Sequence, residues 1–193
     1  MDLILGSLLI IAFCPLMLIV AVLIKSASPG SILFRQKRIG REGIPFELLK
    51  FRTMDHQRHT PGIRITRRGD PRVTRIGIFL RKWKLDELPQ LFNVLSGEMS
   101  LVGPRPDLPE YLQTLSVQQL KVLTLSPGIT GTASLEFRNE ELLLTKVGPE
   151  QVERFYANTL LPWKIELELA YAREASFLGD IAILLRTAVA VCH

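Results

Sequence analysis

Residues 3–24 read LILGSLLIIAFCPLMLIVAVLI, with Asp2 before them, Lys25 after them and no charge between. As one helix the run would extend about 33 Å, enough to cross a bilayer core. A cleaved leader is disfavoured, because Asp2 stands where a basic flank would be needed. Pro15 sits mid-run. It removes one backbone donor and crowds the carbonyl of Ile11, at a cost of roughly 3 kcal/mol in a helix interior. Membrane helices tolerate such prolines, so Pro15 alone supports only a kink. Positive charge near the run lies on its C-terminal side, which places the chain beyond Lys25 in the cytoplasm in either case.

Charge distribution works outward from that segment. Between Lys25 and Lys84 there are 16 Lys/Arg and four Asp/Glu, whereas from Arg105 onward eight basic residues face 11 acidic ones. A basic block directly after an apolar run fits a surface held against anionic lipid or anionic ligand, and equally a solvated charged face. Cys14 and Cys192 are the two cysteines. Neither has a Cys or His at ligand spacing, so a disulfide framework and a structural zinc site are both disfavoured.

Ser28-Pro29-Gly30 ends the first helix. Ile32–Ile39 and Pro45–Phe51 read as strands of a hairpin joined by Gly40-Arg41-Glu42-Gly43. Residues 53–74 form a polar, basic loop whose His56 and His59 are expected to face solvent. Arg75–Trp83 reads as an amphipathic helix with Ile76, Phe79 and Leu80 on one side. A second helix is expected from about Asp86 to Gly97, and a third, opened by Asp107 and Glu110 as a capping box, to about Leu125. Met99–Val102 reads as a short strand. Two more helices are expected near the C-terminus, one with Pro162 in its first turn and one from Phe177 to about Val191. The fold class is α+β, predominantly helical, with a membrane segment over residues 1–25 and a catalytic unit over 26–193.

The segment Leu85-Asp86-Glu87-Leu88-Pro89-Gln90-Leu91 carries the most chemistry. Two carboxylates at a helix N-terminus can share a divalent cation, or divide into a nucleophile and a metal ligand. Acidic residues that only stabilise a helix start are the alternative. Arg81 precedes the pair by about a turn and can bring a guanidinium to a phosphate held there, or lie with Arg75, Lys82 and Lys84 on headgroups. Gly103-Pro104-Arg105-Pro106 holds one arginine between two prolines, either as an anion clamp or as a rigid surface turn. Lys50 and Arg52 fall on one face by strand alternation. Pro127-Gly128-Ile129-Thr130-Gly131 lacks a P-loop lysine, and the basic loop lacks interleaved aromatics. Neither an NTPase nor a nucleic-acid binder is therefore indicated.

In order, Ile24-Lys25, Ser28-Pro29-Gly30, Phe34-Arg35-Gln36, Lys50-Phe51-Arg52-Thr53-Met54, Leu85 to Val94, Ser100 to Pro106, Pro127 to Gly131, Arg138-Asn139 and Ser176 to Ile181 resemble the monotopic bacterial sugar transferases. That resemblance covers nearly the whole chain. It implies a phosphoglycosyl transferase that moves a sugar-1-phosphate from a UDP-sugar to polyprenyl (undecaprenyl) phosphate and releases UMP, at the cytoplasmic face of the bacterial inner membrane. It further implies Asp86 as nucleophile, Glu87 with Asp86 as the Mg²⁺ site, and a re-entrant helix broken at Cys14-Pro15. Substrate binding would fall to Arg81 at the phosphate and Arg105 with Pro106 at the nucleotide, with Lys50, Arg52 and Arg138 beside them. The sequence departs from the family pattern in having Cys14-Pro15 for Ser-Pro, Met1-Asp2 for a basic start, and Ala133 to Phe137 for a Gln-Val-Asn-Gly-like stretch. The rival class is a non-enzymatic, membrane-anchored anion-binding module. The expected partners are the UDP-sugar, the polyprenyl phosphate and anionic membrane lipid; a homodimer is left open.

Overall fold

A computed structural model describes residues 1–55, 65–67 and 69–192. The chain is mostly helical with two small sheets, as the sequence leads one to expect. Helix α1 (Asp2–Ala27) is followed by the antiparallel hairpin of β1 (Leu33–Ile39) and β2 (Pro45–Phe51), in register from Leu33 opposite Phe51 to Ile39 opposite Pro45. Next come α2 (Arg75–Lys82), a 3₁₀ turn (Leu85–Glu87), α3 (Gln90–Leu95) and β3 (Ser100–Val102). The remainder comprises α4 (Pro109–Leu112), β4 (Gly128–Thr130), α5 (Thr132–Glu136), α6 (Glu140–Leu143), α7 (Val152–Phe155), α8 (Leu161–Arg173) and α9 (Phe177–Cys192), with 3₁₀ turns between several of them. Strands β3 and β4 pair in parallel.

Helix α1 continues through Cys14 and Pro15 without unwinding. One proline removes one intrahelical bond, and the bonds on either side hold the helix; the expected break is therefore not a local loss of helix. More telling is how α1 packs. Its first half lays Leu5, Leu9 and Ile10 against the cluster of Phe46, Leu48, Leu91, Val94, Met99 and Leu101. Its second half buries Met17, Val20 and Ile24 with Phe51 of β2 and Leu80 of α2. Near its start, the Leu101 amide donates to Asp2 Oδ1 at 3.4 Å. Both ends of α1 thus touch the same globular body, while much of its length, including Leu3, Ile4, Ile11, Leu18 and Val22, is exposed. A third cluster around Tyr111, Leu144, Tyr156, Leu160 and Ile165 unites α4, α7 and α8.

Several expectations are corrected. Thr74 caps α2 through its hydroxyl, which accepts from the Gly77 amide at 3.0 Å. Leu80 is buried as expected, but Phe79 is exposed. Asp86 and Glu87 belong to a separate 3₁₀ turn rather than to α3, although Gly97 does take the left-handed conformation (φ 78°) that ends α3. The helix expected from Asp107 to Leu125 is only the four residues of α4 and a later 3₁₀ segment, Gln119–Thr124. Asp107 forms no cap; its carboxylate accepts from the Tyr156 hydroxyl at 2.7 Å, a tertiary partner outcompeting a local one. Residues 56–64 and 68 of the basic loop, with His56 and His59, lie outside the described residues.

Candidate active site

The dyad sits where the two α1-facing clusters meet. Leu88 packs on both, and Leu85 on the cluster formed with Met17, Val20 and Ile24. These anchors hold the 3₁₀ turn so that Asp86 and Glu87 are both buried. Lys84 opens the turn in the left-handed region (φ 52°, ψ 19°), and its carbonyl accepts the Glu87 amide at 3.2 Å. For a residue with a Cβ that conformation costs about 1–2 kcal/mol.

Lys50 follows Phe46 and Leu48 on the core-facing side of β2 and reaches Glu87 Oε1 at 2.8 Å. Asn93 fixes that strand. Its Oδ1 accepts from the Leu49 amide (3.0 Å) and its Nδ2 donates to the Glu47 carbonyl (2.8 Å). Arg105 closes on Glu87 from the opposite direction, Nη2 to Oε1 at 2.7 Å and Nη1 to Oε2 at 3.4 Å.

The position of Arg105 follows from two glycine contacts. A Cβ on Gly103 would stand 2.4 Å from the Ser126 carbonyl, and one on Gly128 would stand 2.2 Å from the Gly103 amide nitrogen. Gly103 donates to the Thr130 carbonyl and Gly128 to the Pro104 carbonyl, each at 2.8 Å. The Gly-Pro-Arg-Pro and Pro-Gly-Ile-Thr-Gly stretches, separate in sequence, are therefore one double-stranded platform. Arg38 supports its end by donating to the Pro106 carbonyl at 3.1 Å.

Electrostatics separates the two carboxyls. Burial pushes Glu87 up, but Arg105, then Lys50 and Lys84, outweigh it and hold Glu87 well below the usual carboxylate range. Asp86 is raised by burial first and by the Glu87 charge second, against Lys50, Lys84 and Arg81. Its Oδ1 is buried without any hydrogen-bond partner among the described residues. Burial, reinforced by Arg105, lowers the Lys50 ammonium to about 8 despite Glu87. The site is thus one firmly ionised, cation-clamped carboxylate beside a second carboxylate with an unused oxygen.

Not every expected residue joins them. Arg81 donates from Nε to Thr53 Oγ1 at 3.0 Å and pairs with Glu141 at 3.2 Å. Arg52 does not follow Lys50. The strand ends at Phe51, and the Arg52 guanidinium turns to the Ser28 carbonyl (2.8 Å), the Ser28 hydroxyl (2.9 Å) and the Pro29 carbonyl. Arg138 is exposed and makes no ion pair or side-chain hydrogen bond among the described residues. Its neighbours matter more: Glu141 meets Arg81, and Glu140 pairs with the buried Lys164, which lies over the Tyr156 ring. Asn93, Arg38, Glu140 and Glu141 are not singled out by their sequence context. Asn93 alone carries a signal there, as part of the Leu85–Val94 stretch. An open groove between the Gln119–Thr124 segment and α8, lined by Lys121, Glu166 and Arg173, contains neither dyad residue and no buried unpartnered side-chain atom.

No group of three or more metal-ligating side chains occurs among the described residues. Mg²⁺ takes one or two carboxylates and completes its shell with water and substrate phosphate. Asp86 and Glu87 supply hard oxygen donors of this kind, and the open Oδ1 of Asp86 fits them to it.

The described residues thus bring a buried carboxylate pair together with Lys50 and Arg105, next to clusters completed by a long apolar helix. The chain belongs to the bacterial sugar transferase family, whose model matches residues 1–193. It is 40% identical over 190 residues to the UDP-glucose:undecaprenyl-phosphate glucose-1-phosphate transferase of Caulobacter vibrioides, covering 97% of this chain and 66% of that protein. It is 37% identical over 191 residues to the Escherichia coli K12 transferase of the same description, covering 96% of this chain and 38% of that one. Exopolysaccharide production protein ExoY of Rhizobium meliloti is 34% identical over 206 residues, with 99% and 83% covered. The chain therefore spans from little more than a third to about two thirds of the first two relatives' length.

Proposed function

We propose that the protein is a polyprenyl-phosphate sugar-1-phosphate transferase acting on a UDP-hexose, with UDP-glucose the first donor to test. The observation that carries this is the unpartnered, buried Oδ1 of Asp86 beside a Glu87 held ionised by Lys50 and Arg105. An Asp86 oxygen attacks the sugar-bearing phosphorus of the donor. The anhydride bond breaks, and UMP leaves with the electron pair. An oxygen of undecaprenyl phosphate then attacks the same phosphorus, giving the lipid diphosphosugar and restoring the Asp86 carboxylate. Arg105 and Arg81 neutralise charge on the phosphoryl oxygens, and Lys50 keeps Glu87 in place. Bound at Asp86 and Glu87, Mg²⁺ would spread the charge of the diphosphate.

Location follows from the same reading. Residues 1–25 lie in the cytoplasmic leaflet of the inner membrane as a re-entrant helix, and residues 26–193 work on the cytoplasmic face. The contacts of Asp2 with Leu101 and of Ile24 with the body around Phe51 and Leu80 support this, since a bilayer-crossing helix would carry one end about 30 Å from that body.

UMP release from a panel of UDP-sugars with undecaprenyl phosphate tests the activity. Labelled donor without acceptor should leave phosphosugar on the peptide containing Asp86. Full turnover in excess chelator would remove the metal role. Cysteines placed singly at residues 2 and 26 in a Cys14→Ser, Cys192→Ser background, probed in intact cells with an impermeant thiol reagent, test the topology; labelling at residue 2 would establish a crossing helix.

A further inference from the structure

The cations gathered round the dyad are almost all engaged. Lys50 and Arg105 hold Glu87, Arg81 is shared between Thr53 and Glu141, and Lys82 lies over the Trp83 ring at 5.5 Å. Lys84 differs. It is exposed, it makes no ion pair or side-chain hydrogen bond among the described residues, and its charge still acts on both Asp86 and Glu87. Its backbone is left-handed, a conformation that glycine or asparagine would adopt at lower cost. A lysine there is an expensive choice for a turn and a sensible one for a charge.

Its surroundings say which charge it meets. The next residue, Leu85, packs into the cluster formed by Met17, Val20 and Ile24 of α1 with Leu80 of α2. Lys84 thus stands in the chain directly before the residue that packs on the α1-facing cluster and two residues before Asp86. An anion arriving from that side carries a hydrocarbon tail. The nucleotide half of a donor has no such tail.

Resting on the transferase reading, we infer that Lys84 is a substrate-binding residue whose ammonium holds the phosphate headgroup of the lipid-linked acceptor beside Asp86. The contact is ionic, and no bond to Lys84 forms or breaks. It orients the acceptor oxygen toward the phosphorus carried on Asp86 and offsets repulsion between two phosphates brought together.

The test uses the full chain in detergent or nanodiscs, with Lys84→Asn, Lys84→Gly and Lys84→Arg. Asparagine and glycine suit the left-handed backbone, so any loss reports charge and not strain. In a two-step exchange, kcat/KM for each substrate is read separately. For Lys84→Asn and Lys84→Gly, kcat/KM for undecaprenyl phosphate should fall about ten-fold, the size of one lost charged contact, while Lys84→Arg retains most of it. The same variants should lose clearly less in kcat/KM for the UDP-sugar, and in the single-turnover release of UMP without acceptor, than in kcat/KM for undecaprenyl phosphate. Unchanged acceptor kinetics in the asparagine variant would overturn the inference. So would a loss confined to the donor, which would assign Lys84 to the diphosphate. A parent protein that turns over no UDP-sugar would instead defeat the transferase reading itself.

Discussion

Lys50 and Arg105 donate to the same oxygen, Oε1 of Glu87, at 2.8 and 2.7 Å, one from the end of β2 and the other from the platform beyond β3. A single carboxylate is thereby one point at which hairpin and platform are joined, beside the bond from Arg38 to the Pro106 carbonyl. Removing either cation leaves a buried charge less compensated, which costs roughly 3–5 kcal/mol for a buried pair. Arg105→Ala should therefore lower the thermal midpoint clearly, and adding Glu87→Gln should recover most of the loss. Activity should not recover: Arg105→Ala is expected to lower kcat about 100-fold or more, the scale for losing a charge-stabilising donor. A double-mutant cycle on unfolding and steady-state rates decides both points.

Asp86 should show the opposite balance. Its carboxylate is buried, faces Glu87 and leaves Oδ1 without a partner. Asp86→Asn removes a buried charge at constant shape, so stability should rise by about 1 kcal/mol while turnover is abolished. Thermal unfolding beside a UMP-release assay checks this; a clear loss of stability would mean that the Asp86 charge is compensated.

Arg52 should behave as a structural residue. Its guanidinium bonds the Ser28 and Pro29 segment that follows α1 and is itself buried. Arg52→Ala should destabilise by about 2–4 kcal/mol, the order for breaking a buried charged hydrogen-bond set. Material that remains folded should keep its KM for the donor. A raised donor KM with normal stability would return Arg52 to the substrate site.

Glu168 gives a pH signature away from the dyad. It is 3% exposed, and burial raises its carboxyl above the ordinary range against hydrogen bonds from the Ala133 and Thr132 groups at the start of α5. Because the folded form ionises later than the unfolded one, stability is fully present below the unfolded value of about 4.3 and declines as pH rises toward the folded value. Glu168→Gln cannot ionise, so the midpoint of the variant relative to the parent should rise with pH across that window. A pH-independent difference would show that Glu168 ionises alike in both states.

Legibility from sequence tracks the range of the interactions. The hairpin, α8, α9 and the stop at Gly97 are readable because alternation, Pro162 and glycine act within a few residues. The helix expected from Asp107 is not there, since Asp107 answers to Tyr156, 49 residues away. Asp86 and Glu87 are marked by their pairing and by resemblance, but their unequal electrostatics depends on Lys50 and Arg105, which only the fold brings together. Alternation likewise puts Arg52 beside Lys50, and it fails at the residue where the strand stops. Glu140 and Glu141 give no local signal, and their importance comes from meeting Lys164 and Arg81 across the structure.

Met17, Val20 and Ile24 of α1 are core residues, yet Leu3, Ile4, Leu8, Ile11, Leu18 and Val22 of the same helix are exposed. Deleting it would open two clusters that support the dyad. The globular part cannot reach its final packing before that helix has found its place. Placement of α1 and placement of the Asp86–Glu87 turn are therefore parts of one packing arrangement, because Leu88 belongs to both clusters that the helix completes.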